Sequence, residues 1–240
     1  LALWAVHAHA HDAAEISPIL AITSPEKRCG KTTLLELLTV LVPRALPAAN
    51  MTSAVTFRAI EEFRPTLLVD EADTFLPRND ELRGVLNSGH RRSMARVIRT
   101  VGEHYEPRFF HTWSPKAIAL IGKLPGTLAD RSIEIRMRRR APREKVERLR
   151  LDRLGLLQPI CQMICRWVKD EREQLLSLDP PVPEALHDRA ADNWRPLFAI
   201  ADAVGGEWPA RSREAALTLT APGAGEDASL RTQLLRDLQE

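Results

Sequence analysis

The sequence predicts an α/β body followed by an all-helical region, and three observations carry that expectation. A buried strand runs straight into a glycine-containing loop and a helix over residues 16–46. A second apolar strand, Thr66–Val69, ends on two carboxylates, and strand signals stop after Pro142. Strands that are apolar at every position belong in a parallel sheet covered on both faces. The expected division is an α/β body over 1–142 and a helical lid domain over 143–240.

Residues 2–15 read as a helix, Ile16–Ser24 as the first strand and Thr32–Leu46 as a helix with leucines on one face. After the Thr66–Val69 strand, Glu81–Asn87 reads as a short helix. The β-prone runs Arg96–Val101 and Arg108–Trp113, separated by GEHYEP, predict a hairpin with a long loop. Lys116–Ile121 and Ser132–Met137 are further strands around a short helix, Gly126–Asp130, and an arginine run, 138–140, follows. Beyond it, Glu144–Leu178, Pro183–Val204 and Pro209–Leu219 have helical periodicity, and Ala228–Leu238 is a last helix-like stretch.

With 240 residues, 44% hydrophobic and 28% charged, the chain has the composition of a folded globular protein and excludes wholesale disorder. No apolar run reaches the ~18 residues of a membrane span. Three cysteines, Cys29, Cys161 and Cys165, cannot all pair and lack zinc-like spacing, which fits a reduced, cytoplasmic compartment. The opening LALWAVHAHAHD has no basic start or small-residue cleavage site of a secretory signal, and a primase or zinc-binding module could precede Leu1. Formal net charge is +2, yet Ser88–Arg143 holds 13 basic residues against four acids, a local excess of +9. A basic zone of this kind, rich in arginine, suits phosphate partners.

The sharpest motif is SPEKRCGKTT, comprising Ser24, Pro25, Glu26, Lys27, Arg28, Cys29, Gly30, Lys31, Thr32 and Thr33. It matches G-x-x-x-x-G-K-[ST] except that Pro25 takes the first glycine position. A phosphate cradle needs convergent backbone N–H groups, a helix N-terminus, a lysine and a hydroxyl for Mg²⁺. Lys31 and Thr32 supply the last two, and Ser24 and Glu26 are expected to flank a fixed turn around the proline. LLVDEAD places Asp70 and Glu71 at a strand end 39 residues after Lys31. In a phosphoryl-transfer site the first carboxylate holds Mg²⁺ and the second polarises water. Asp73 reads as a helix cap or surface charge.

These motifs, with ELRGVLNSGHRR, YEPRFFHTWSPKAIALIGKLPGTLADRSIEIRMRRR and NWRPLFAIADAVGGEWP, make the chain similar to the AAA+ branch of P-loop ATPases. Within it the chain resembles an ATPase module of a domain-of-unknown-function family in phage, plasmid and other mobile-element primase-helicase replication proteins. The resemblance implies an ATP- and Mg²⁺-dependent hydrolase working as a hexamer-like ring on single-stranded DNA, a helicase or translocase module. Thr32 and Asp70 would hold the metal and Lys31 the phosphates, with Glu71 activating water. It further implies Lys123 as sensor 1, Arg131 as a finger reaching a neighbour's site, and Arg195 as a sensor 2 acting in cis. Arg131 pairing with Asp130 or Glu134, and Arg195 packing beside Trp194 and Pro196, are the plainer readings. By the same resemblance the hairpin reaches DNA with Arg96, Arg99, Tyr105 and Arg108, though these arginines also suit subunit contacts. A nucleotide-gated scaffold or loader, or a defence or regulatory ATPase without unwinding activity, are the alternatives. His7, His9 and His11 read as solvated, Cys161 and Cys165 as helical core, and Trp167, Trp194 and Trp208 as core of the helical region.

Overall fold

A computed structural model describes residues 1–141, 143–147 and 149–221. Its centre is a five-stranded, all-parallel sheet in the order β2-β3-β6-β1-β7. The strands are β1 (Ile19–Ser24), β2 (Ala45–Ala48), β3 (Thr66–Val69), β6 (Lys116–Ile121) and β7 (Ser132–Arg136). β4 (Arg96–Val101) and β5 (Glu106–His111) form a separate antiparallel hairpin. The α/β expectation holds, with a parallel sheet covered on both faces.

Strand alternation sorts the core. Ile19 and Ala21 of β1 join Leu67, Val69, Ile118 and Leu120 on one face, under α4 (Asp80–Ser88) and α5 (Gly126–Ala129). Leu20 and Ile22 point the other way, with Leu68, Ala117 and Ala119, against α1 (Ala2–His9) and α2 (Lys31–Leu41). This is why β1, β3 and β6 read as continuous apolar runs.

Several expected boundaries move. The first helix ends at His9 instead of continuing to residue 15, and a 3-10 turn covers His11–Ala13. β1 starts at Ile19 because Pro18 has no N–H to give to a ladder, and Ile16 makes only an isolated bridge to Arg91. The leucine helix runs Lys31–Leu41, short of Leu46, and Pro43 separates it from β2, an edge strand that tolerates Pro47. The reading of the sequence missed β2 and also α3 (Ser53–Phe63), whose Thr52 cap accepts from Val55 N at 3.3 Å.

The C-terminal helices are α6 (Gln158–Asp170), α7 (Arg172–Ser177), α8 (Asp188–Val204) and α9 (Trp208–Thr220). The expected helix from Glu144 begins only at Gln158, after a 3-10 stretch over Leu151–Leu157, and the expected Ala228–Leu238 helix lies outside the described residues. Trp194, Leu197 and Phe198 of α8 pack against Ile133 of β7 and Ala216 of α9. Asn193 fastens α8 to the sheet, its Nδ2 donating to Asp130 O at 3.0 Å and its Oδ1 bonded to His90 Nε2 at 2.7 Å. α1 packs on α6 and α8, so the first helix is shared between the sheet and the helical layer. Among the described residues no helix is long and apolar enough to cross a membrane.

The histidines reverse one expectation. Only His9 is partly solvated; His7 and His11 are buried, on the face of α1 and its continuing turn that Trp4 and Ala8 also use. His11 Nε2 meets Ser17 Oγ at 3.0 Å, whereas His7 Nε2 is unpartnered. Burial holds the His7 pKa down to about 4, and burial, partly offset by Asn193, does the same for His90. Both rings are neutral when folded and take up protons on unfolding between pH 6.5 and 4. Stability is therefore lost as pH falls through that window. A histidine displaced as far as His7 accounts for about 3 kcal/mol of that loss. Thermal melts between pH 7 and 4 should show the decline, and His7→Leu, which fills the same space without a proton site, should make it shallower while His90 keeps its own part. An equally steep decline in the variant would assign the effect to other groups.

Candidate functional site

The loop after β1 is built so that its polar atoms converge. Gly30, at φ +86°, makes the left-handed turn that opens α2, a conformation costly to a residue with a Cβ. Ser24 Oγ donates to Glu26 O at 2.7 Å across Pro25, so the proline sits within a hydroxyl-fastened turn, as expected of Ser24 and Glu26. Lys31 Nζ donates to Ser24 Oγ at 2.6 Å, folding the ammonium back over the loop. Cys29 is buried beneath it, its thiol 3.4 Å from Glu26 O. Pro25, Glu26, Lys27, Arg28, Thr32 and Thr33 are exposed.

β3 is the partner. Thr32 Oγ1 donates to Asp70 Oδ2 at 2.8 Å, and Asp70 Oδ1 accepts from Glu71 N at 2.8 Å. Glu71 has positive φ, 52°, and its exposed carboxylate makes no ion pair among the described residues. One strand end thus presents a carboxylate to the helix hydroxyl and a second, free carboxylate beside it. Asp73, read from sequence as a cap or surface charge, accepts from Ile121 N at 2.9 Å and locks the end of β3 to that of β6. Gly122, at φ +87°, donates its N–H to Ser24 O at 2.9 Å. The ends of β1, β3 and β6 are tied into one polar shelf.

From the end of β7 the chain returns over the loop. Arg139 pairs with Glu26 at 3.0 Å and donates to Lys27 O at 3.1 Å. The reading of the sequence did not assign this contact; the arginine run after the last strand was its only sign.

The remaining candidates separate. Lys123 is exposed beyond β6 and lines a cavity of about 450 Å³ with Ser24, Pro25 and Met137. Arg131 lies at the opposite end of the sheet, where its carbonyl accepts from Ile19 N at the start of β1, about 20 Å along the strand from the loop. It forms no ion pair with Asp130 or Glu134; its Nη1 donates to Thr127 O at 2.7 Å, and Glu134 pairs with Arg136. Burial, and next the positive charge of Arg189, hold its pKa below the ordinary arginine value. Arg195 is not brought to the loop. It pairs with Asp179 at 2.6 Å on an α8 whose first turns are fastened at the amino-terminal end of β7, which corrects the sensor 2 expectation within one chain.

The hairpin also divides its arginines, because side chains alternate across a strand. Arg99 pairs with Glu81 at 3.1 Å and lies over the Phe57 ring, and Arg108 lies over Phe110. On the other face stand Arg96 and the cross-strand pair Ile98 and Phe109, 54% and 59% exposed, with Tyr105 76% exposed at the tip. Arg96 and Tyr105 remain open to a partner. Arg99, expected beside them, is engaged by Glu81 and Phe57, and Arg108 is exposed on the same face as Arg99.

Two comparisons bear on the chain. A family model described as a protein of unknown function, DUF3631, matches residues 136–240, from the last residue of β7 onward. An uncharacterized 28.9 kDa protein in xis 5'region of Saccharopolyspora erythraea is 45% identical over 104 residues, which is 42% of this chain and 38% of that relative. The chain thus spans under half the length of the curated relative it matches.

Proposed function

We propose that the chain is a Mg²⁺-dependent ATPase of the P-loop class with an AAA+-like body and a helical lid, working in a ring on single-stranded DNA during mobile-element replication. The observation that carries the reading is the 2.8 Å contact between Thr32 Oγ1 and Asp70 Oδ2, which joins the helix-opening hydroxyl to the strand-end carboxylate. Their oxygens are the hard donors Mg²⁺ takes, so Thr32 and Asp70 fit as its holders. When bound, the ion would neutralise phosphate charge. Lys31, moving off Ser24, grips the phosphates; the N-terminus of α2 adds partial positive charge. The free carboxylate of Glu71 accepts the proton of the attacking water.

Arg131, at the far end of its own sheet, would serve a neighbour's site, which requires a ring. The exposed hairpin face supports DNA contact through Arg96, with Tyr105 and Phe109 as stacking surfaces. The internal use of Arg99, on Glu81 and Phe57, favours a second reading, a nucleotide-gated scaffold, loader or regulatory ATPase without unwinding.

ATP hydrolysis measured with and without single-stranded DNA, beside solution mass, tests both. Stimulation with strand displacement supports the helicase; hydrolysis indifferent to DNA supports the scaffold. Glu71→Gln should lower turnover at least about 100-fold while ATP stays bound through gel filtration. Undiminished turnover in that variant would move the base elsewhere.

A further inference from the structure

At the amino-terminal end of the sheet, away from the loop, lies a basin of about 510 Å³. Its walls come from the end of α1, the His11–Ala13 turn, the approach to β2, the end of α3 and the segment entering β6. Three guanidinium groups line it, those of Arg44, Arg64 and Arg92, against the carboxylates of Asp12 and Glu61. The acids do not balance the arginines. Glu61 Oε2 is taken by His111 N at 2.7 Å, and Arg92 is held by Asp12 O at 2.8 Å and by Glu15 at 3.9 Å, which leaves Arg44 and Arg64 as the open cations. Arg44 spends its Nε–H on Arg64 O at 2.6 Å, and neither Arg44 nor Arg64 has an ion pair among the described residues.

The second observation is independent of charge. Trp113 lines the same basin with its ring 4.2 Å from that of His11, and its indole Nε1 is buried without an acceptor. That nitrogen is closed off from the basin, so Trp113 contributes the face of its ring, an apolar wall for the body of an ester. Guanidinium forks match phosphate oxygens.

We propose that this basin is a second anion site that takes a phosphoryl group, donated to by Arg44 and Arg64 beside the ring of Trp113. The volume exceeds that of inorganic phosphate and leaves room for the body of a phosphomonoester. The site does not depend on the nucleotide reading of the loop after β1.

The test uses the full chain with ¹⁵N-labelled indoles, five in all. Trp113→Phe identifies the Trp113 cross-peak. The Lys31→Ala background keeps the proposed nucleotide loop from reporting. Titration with inorganic phosphate, and separately with AMP, should shift the Trp113 resonance saturably and leave the other four in place. Arg64→Gln, at an exposed position without an ion pair, should retain the fold and weaken binding at least tenfold. Tighter binding of AMP than of phosphate identifies a phosphomonoester, and equal or weaker binding identifies free phosphate. A Trp113 resonance unmoved by either, or unchanged affinity in Arg64→Gln, overturns the proposal.

Discussion

Lys31→Ala should reduce ATP turnover at least about 100-fold and leave the fold unchanged. The ammonium makes one hydrogen bond, 2.6 Å to Ser24 Oγ, and its removal opens no cavity in the core. Alanine is also the best helix former for the first residue of α2. Stability measured by thermal melting should stay within about 0.5 kcal/mol of the parent, as for surface substitutions generally. The catalytic loss is large because the Lys31 ammonium is held by a hydrogen bond at the start of α2, whereas Arg139 is already engaged by Glu26 and Lys27 O on the other side of the loop. Lys27 and Arg28 are exposed on its outer side. A preorganised charge at developing phosphoryl charge lowers the barrier by several kcal/mol in a water-poor site. Turnover within a few-fold of the parent, with melting intact, would remove the phosphate-binding role from this lysine and with it the P-loop reading of this loop.

How much of this was legible differs from element to element, for physical reasons. Thr66–Val69, Arg96–Val101 and Lys116–Ile121 were placed to the residue because apolar or alternating runs with polar ends leave one solution. β2 was hidden because Ala45–Ala48, ALPA, contains no β-branched or aromatic residue and adds to the edge of the sheet, where Pro47 costs no ladder bond. Missing β2 and α3 had a consequence at the hairpin. The period of two already separates Arg96, Ile98 and Thr100 from Val97, Arg99 and Val101, but without α3 and its Phe57 nothing says which set is covered. The buried histidines were legible in principle, since Trp4, His7, Ala8 and His11 repeat at helical spacing. The loop and the acid pair were the most readable part of all, because each directly follows a largely apolar strand, β1 and β3, whose end the local sequence marks. Arg195 was misplaced because the position of α8 depends on tertiary contacts, Asn193 to Asp130 and Trp194 to Ile133, that no local pattern encodes.

Gly89→Ala should be the most destabilising single methyl in the molecule. The reason is Lys116, a lysine at the start of the central strand that is 1% exposed. Its Nζ donates to the carbonyls of Ser114 at 2.8 Å, Thr112 at 3.2 Å and Gly89 at 3.4 Å, and burial lowers its pKa to about 7. A Cβ on Gly89 would collide with Thr112 O and with the ammonium itself. Neither can retreat: Thr112 is fully buried with its N–H bonded to Ala95 O at 3.0 Å, and any shift strips the ammonium of its acceptors. Overpacking costs about 1–3 kcal/mol and a buried cation that loses partners about 3 kcal/mol more, so a loss of at least about 4 kcal/mol is expected. At this size that lowers Tm by about 8–16 °C. Gly84→Ala is the control, because nothing lies within 4 Å of its added methyl and α4 should gain about 1 kcal/mol from it. Since the folded pKa of Lys116 lies below its unfolded value, the unfolded chain binds more protons between pH 7 and 10.5, and stability should rise across that range. Lys116→Met, which removes the titrating group, should abolish this lysine's part of the rise in urea melts at pH 7 and pH 9.5. A Gly89→Ala variant as stable as the parent would mean that the lysine head group is not seated among these carbonyls.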